Sequence, residues 1–212
     1  MKLIVPEDLP EINMVSVDEY VASIAEHIIS IAEATKGRML ILFTSYEMLK
    51  KAYEIIKESG FLDDFALIAQ GITSGSRSRL TRNFQRFEKA ILFGTSSFWE
   101  GIDIPGEDLS CLIIVRLPFS PPDEPLTAAK CEKIKNNGGN PFQDFSLPEA
   151  VIRFKQGFGR LIRTKTDRGI IFVFDRRLVT TRYGKDFLES IPKVSVEKRN
   201  IGEIVEIITE WM

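Results

Sequence analysis

Hydrophobic positions along this chain fall into two alternating rhythms. Short continuous apolar runs, among them "MLILF", "AILF", "CLIIV" and "IIFVF", are separated by stretches where apolar residues recur every three or four positions. An unbroken apolar run of strand length predicts a strand covered on both faces, and the 3.6-residue rhythm predicts an amphipathic helix. "SVDEYVASIAEHIISIAEATKG" puts Tyr20, Ile24, Ile28 and Ile31 on one stripe, with Gly37 as the stop. His27, the sole histidine, is expected on the surface of that helix. "RMLILFTS" then predicts a strand, "YEMLKKAYEIIKESG" a helix ending at Gly60, "FALIAQG" a second strand and residues 76–87 its helix. "KAILFGTS", "LSCLIIVRLPF" and "RGIIFVFDRR" complete five predicted strands. The alternation predicts an α/β fold with an open, mainly parallel sheet and helices on both faces, in which ligands sit at the carboxyl ends of the strands. "SPPDEPLTAAKCEKIKNNGGNPFQDFSLPE" interrupts the alternation and predicts one helical and loop insertion at about 120–147.

Composition narrows the class. With 212 residues, 44% apolar and 27% charged, the chain suits one globular domain. Its apolar runs are far shorter than the roughly 20 residues that span a bilayer, and no leader pattern is visible. A cytoplasmic protein without a membrane partner is the expectation. Cys111 and Cys131 make no metal or disulfide framework, and Cys111, inside "CLIIV", is expected to be buried.

The net charge of −2 excludes a globally basic nucleic-acid binder, but the charges are unevenly placed. Residues 71–87 carry Arg77, Arg79, Arg82 and Arg86 with no acid, and residues 153–168 carry six basic residues against Asp167. Two basic runs in a nearly neutral chain point to a local anionic partner. The predicted strand ends "FTS" (43–45), "QG" (70–71) and "GTSSFWEGIDIPG" (94–106) are rich in hydroxyls and glycines. Such loops offer N–H groups and hydroxyls to phosphates, although the same residues also simply make turns.

The chain contains no G-x-x-x-x-G-K-[ST] segment and no apolar strand ending in paired acids. A nucleotide would be touched here but not fully cradled. One histidine allows no convincing nucleophile–histidine set. "KQGFGRLIRTK" (155–165) adds a puzzle: Gln156, Arg160 and Arg163 share the face of a predicted helix that contains Gly157 and Gly159. Each glycine costs a helix interior about 1 kcal/mol relative to alanine.

"QGFGRLIR" with "TSSFWEGIDIPG" resembles motifs VI and V of superfamily 2 helicases, in the branch containing the DinG and XPD proteins. "ILFTSYEMLKKAYE" is similar to motif IV, "LPFSPPDEP" to the segment after motif V, and "DRGIIFVFDRRL" with "YGKDFLESIP" to the usual ending. The likeness runs in order from about residue 39 to 193, and is nearer to DinG. It implies the second of two RecA-like motor domains, over 37–212, preceded at 1–36 by a leading interdomain segment and a helix of the same domain.

The resemblance further implies ATP and Mg²⁺ held mainly by a first motor domain that this sequence does not contain. That domain carries the phosphate loop, the magnesium ligands and, in some members, iron–sulfur cysteines. No metal or cluster is therefore expected in this chain, which would be inactive alone as a C-terminal piece of a longer protein. By the same resemblance Arg160 and Arg163 act as arginine fingers on the γ-phosphate and Gln156 helps sense it. Glu100, Gly101, Asp103 and Gly159 would lie beside the nucleotide. Thr44, Ser45, Thr95 and Ser96 would hold the backbone of single-stranded DNA. Arg77 and Arg79 either add phosphate contacts or form an exposed helix face, and Phe98 and Trp99 either stack on a base or pack at the domain joint. Two activities fit: an ATP-dependent DNA helicase, or a DinG-type protein whose main activity is an N-terminal 3'-5' exonuclease.

Overall fold

The computed structural model describes residues 1–99, 104, 109–161 and 169–211. Its centre is a seven-stranded sheet of order β3-β4-β2-β5-β6-β1-β7 in which every recorded pairing is parallel. The strands are β1 Lys2–Pro6, β2 Met39–Leu42, β3 Ala66–Ala69, β4 Ala90–Gly94, β5 Cys111–Ile114, β6 Ile170–Val173 and β7 Ser195–Arg199. The five expected strands are present. The other two, β1 and β7, carry no comparable sequence signal.

β1 lies between β6 and β7, with Ile4 opposite both Phe172 and Glu197. The residues expected to lead in from another domain thus supply a strand of this sheet. β7 reads "SVEKR" and is half-exposed, as suits an edge strand guarded by charge.

Alternation along the strands sends side chains to two cores. Ile41, Phe43, Ile91, Phe93, Ile113 and Phe172 face α1 (Val17–Thr35), α2 (Tyr46–Ser59) and α9 (Ile201–Trp211). Leu40, Leu42, Leu92, Leu112 and Ile171 face α3 (Arg77–Arg86), the short α4 (Ser96–Trp99), α6 (Leu147–Phe158) and α8 (Gly184–Glu189). The insertion holds α5 (Pro125–Asn136) and a π-helical turn, Phe142–Ser146, leading into α6; α7 (Arg177–Thr180) follows β6.

α1 opens with a capping box between Ser16 and Glu19, which satisfies two otherwise orphan N–H groups. It closes through left-handed residues, and at Gly37 (φ +106°) a Cβ would stand 2.7 Å from Lys89 Cα. Only glycine fits both the angle and the space.

His27 corrects an expectation. It is buried, with Nδ1 2.9 Å from the Ser23 carbonyl and Nε2 3.1 Å from Asp8 Oδ1. Its place at the edge of the apolar stripe, roofed by Phe174, explains the burial. Asp8 also accepts from the Ile201 N–H at 2.8 Å, so one carboxylate joins α1 to the start of α9. Burial pushes the Asp8 carboxyl up, but the Ile201 N–H and the His27 ring outweigh it and the net shift is downward.

The glycine-bearing helix also differs from expectation. α6 stops at Phe158, with Gly159 as its cap, and Arg160 lies in the tighter turn that follows. Phe154, Phe158 and Leu161 are buried and anchor this segment on the sheet, with Val151 partly buried against the same core.

Candidate functional site

The carboxyl ends of β2, β4 and β5 and the end of α6 meet on one edge of the sheet. There Trp99 is the central fixture. It is buried, its Nε1 donates to the Phe43 carbonyl at 3.1 Å, and its ring lies over Gly157, where a Cβ would come within 2.7 Å of two ring carbons. The helix-weakening glycine therefore buys close contact between α6 and α4. Arg160 completes the junction: Nε and Nη2 donate to the Trp99 carbonyl at 3.3 and 3.0 Å. Phe98 is fully buried beside it, so neither aromatic is open to a base and both pack in the core of this domain.

Of the three motif VI residues, Gln156 is exposed on the last turn of α6 and Arg160 is half-buried just beyond it. Arg163, Glu100, Gly101 and Asp103 lie outside the described residues, as does the side chain of Ser96, which opens α4. Gly159 caps α6 at φ −65° with no close neighbour beyond its own helix, so its glycine is not explained by contact.

The hydroxyl residues sort differently. Thr95 N and Oγ1 both donate to Gln70 Oε1, at 2.9 and 3.1 Å, which ties the end of β4 to the end of β3. Ser45 caps α2, its Oγ accepting from Met48 N at 3.4 Å. Thr44 lines a cleft of about 500 Å³ with Phe43, Ser97, Trp99, Pro118, Phe119 and Arg153. Arg153 donates to Ser120 Oγ at 2.8 Å and pairs with Glu149 at 3.4 Å. Arg77, at the start of α3, donates to the Ser97 carbonyl at 2.9 Å, and Arg79 is exposed one residue on from Ser78.

A buried network behind this edge was not singled out from the sequence. Asp175, just past β6, accepts from the Leu117 N–H at 2.9 Å and from Arg177 Nη2 at 2.6 Å through Oδ2. Its Oδ1 takes Arg177 N at 3.1 Å and Nε at 2.9 Å. The Asp175 carboxylate holds the Arg177 guanidinium above its ordinary pKa. Tyr20, raised first by burial and then by Asp175, donates to the carbonyls of Val115 and Phe174 at 3.2 and 3.0 Å. These bonds lock β5 to β6 where both strands reach the site. An acid directly after the apolar run "IIFVF" was the available signal.

Solved chains share this fold. One described as XPD helicase superposes with a TM-score of 0.71 at 20% identity, covering 93% of this chain and 35% of its own. Dbp5 of S. cerevisiae bound to RNA and ADP BeF3 gives 0.60 at 15%, covering 99% and 45%. At those identities the likeness shows the fold alone, which is RecA-like.

The family described as the helicase C-terminal domain matches residues 28–194, and this chain belongs to it. Relatives similar to it include the 3'-5' exonuclease DinG of Bacillus subtilis, 43% identical over 96% of this chain, and the ATP-dependent DNA helicase YoaA of Haemophilus influenzae, 41% identical over 97%. The chain spans 22% and 31% of those two proteins. Within the family it is of the DinG and YoaA type. Among the described residues no helix is long and apolar enough to cross a membrane.

Proposed function

We infer that this chain is the C-terminal motor half of an ATP-dependent DNA helicase. Arg160 and Arg163 would be supplied to ATP held on a first motor domain, while the strand-end residues contact single-stranded DNA. The observation that carries the reading is Arg160. Arg160 stands half-buried at the carboxyl edge of the sheet, its guanidinium held by the carbonyl of Trp99, the last residue of α4. A guanidinium in that place offers paired donors to phosphoryl oxygens when a second domain closes on it. Its link to Trp99 connects any such contact to the loop that carries Thr95 and Ser97.

ATP fits this donor set on its phosphate side only. The sequence has no phosphate loop, so the triphosphate and Mg²⁺ would be held mainly elsewhere, where the metal would neutralise charge on the transferred group. Arg160, Arg163 and Gln156 would then approach the γ-phosphate, with Glu100, Gly101, Asp103 and Gly159 beside the nucleotide. Thr44, Ser45, Thr95 and Ser96, with Arg77 and Arg79, would hold the DNA backbone. The chain alone is expected to lack ATPase activity.

The test is single-strand-stimulated ATP hydrolysis by the full-length protein, comparing wild type with Arg160→Ala and Arg163→Ala. A loss of about 10²-fold or more with ATP binding retained supports the finger roles. Mutants that match wild type overturn them. A second reading is favoured by the name of the Bacillus relative, a 3'-5' exonuclease. In it the motor fold binds DNA and ATP for a nuclease on another domain. DNA degradation that survives loss of the ATPase would select it.

A further inference from the structure

The outer face of α3 carries charge that the rest of the described fold leaves unanswered. α3 has four arginines and no acid in its 10 residues. Leu80, Thr81 and Phe84 are buried against the sheet. Arg79, Arg82 and Arg86, at steps of three and four, line the opposite, exposed side. With Ser76 and Asn83 they rim a shallow groove of about 400 Å³.

Other helices neutralise themselves: α2 pairs Lys50 with Glu54 and Lys51 with Glu47, and α6 pairs Arg153 with Glu149. Among the described residues no carboxylate pairs with Arg79, Arg82 or Arg86. Such a row repels itself unless an anion from outside lies along it.

The position of the row says which anion. Arg77, one turn before Arg82, is bonded to the Ser97 carbonyl, so α3 starts at the strand-end site and runs away from it along the β3 side of the sheet. Seven residues separate Arg79 from Arg86, about 10 Å at ~1.5 Å per residue. That length matches about three nucleotides at the ~3.4 Å rise of a stacked strand. Just past Arg86, Phe87 leaves 52% of its surface open, a ring on which an unpaired base can stack.

We propose that Arg82, Arg86 and Phe87 form a second track, along which the sugar–phosphate backbone of single-stranded DNA continues after passing Arg79 at the edge of the strand-end site. The proposal rests on the DNA-binding reading above. Its contacts are to phosphates and one base face, so the track is indifferent to sequence. An exposed ring beside the arginines suits an unpaired strand better than a duplex, whose bases are already stacked.

The test uses full-length protein and labelled oligothymidylates of about 8 and about 20 nucleotides, one within and one beyond the ~4–16 nucleotides of typical single-strand sites. Wild type should bind the longer strand more tightly than the shorter. Arg82→Ala with Arg86→Ala should lower affinity for the longer strand roughly tenfold. It should also flatten the dependence of log K on log salt by about 1.4, or ~0.7 per lost phosphate contact. The same pair changed to lysine should keep most of the affinity, and Phe87→Ala should weaken only the longer strand.

If the short strand binds and the alanine pair matches wild type on both lengths, the track is wrong and the strand-end reading stands. Equal losses on both lengths, or an effect seen only when the tail is double-stranded, also overturn it. A wild type that binds neither length overturns both readings. An effect of the alanine pair on a protein partner, with DNA binding unchanged, assigns the face to an acidic protein instead.

Discussion

Two groups of arginines in this domain are handled in opposite ways. Arg160 and Arg177 are half-buried and answered from within, one by the Trp99 carbonyl and the other by both oxygens of Asp175. Arg79, Arg82 and Arg86 stand in water on one face of α3, with no carboxylate paired to them among the described residues. The first kind has a fixed direction before any ligand arrives, since each guanidinium is already oriented by two or more hydrogen bonds. The second kind has reach and charge but no fixed pose. Preorganised donors suit a reacting phosphoryl group, and loose ones suit a backbone that must slide past.

The comparison can be broken from its strongest side. Asp175→Ala removes the acceptor of Arg177 and leaves the Leu117 N–H unpaired inside the fold. It should destabilise the protein by about 2–3 kcal/mol in urea unfolding, and a smaller loss than 1 kcal/mol would mean that the pair is not a fixed anchor.

Gly157→Ala attacks the other answered arginine indirectly. The new methyl would sit 2.7 Å from the Trp99 ring, so α6 and α4 must part or Trp99 must turn. We expect about 1–2 kcal/mol of lost stability and a change in Trp99 fluorescence. An unaltered spectrum and unaltered stability would show that the junction yields freely.

Asp8→Asn tests the internal tie between α1 and α9, with an expected cost of about 1 kcal/mol at neutral pH. The folded carboxyl lies below its ordinary value of 3.8, so its contribution is complete above that value and fades as pH falls through the folded one. The variant should therefore narrow its gap to wild type as pH drops below about 4 in parallel thermal melts. A gap that widens in acid contradicts the assignment.

The smallest effect should come from the unanswered row. Arg82→Ala with Arg86→Ala should change stability by less than about 0.5 kcal/mol, since both are exposed and unpaired with any carboxylate among the described residues. A larger loss would move these residues into the first group.

How far the sequence carried depended on whether a feature was local. β2 to β6 were visible because buried parallel strands are apolar without a break. β7 was hidden because an edge strand with three charged residues in five looks like a loop. β1 carries an apolar run of three residues, Leu3, Ile4 and Val5, followed by acids and prolines, which made it look like a linker. The strand-end loops could be located from the sequence, and Arg160 lies on that edge, while the roles read for these residues rest on the measurements proposed above. His27 was misplaced because its burial depends on Asp8 and Phe174, remote in sequence. The Tyr20 bridge spans separations of 95 and 154 residues, beyond any local pattern.

The seat of β1 has a consequence for how the domain assembles. Its partners Ile170 and Ser195 lie far along the chain, so the earliest of these seven strands in the sequence is among the last that can be seated. Until it arrives β6 and β7 share no neighbour, and the growing polypeptide must keep Leu3, Ile4 and Val5 from finding a wrong edge. Pairings of such high contact order slow folding, because chain closure must be completed before the contact is gained. Seating β1 against β6 thus waits for most of this chain, and β7, whose recorded pairing is with β1, can join only afterwards.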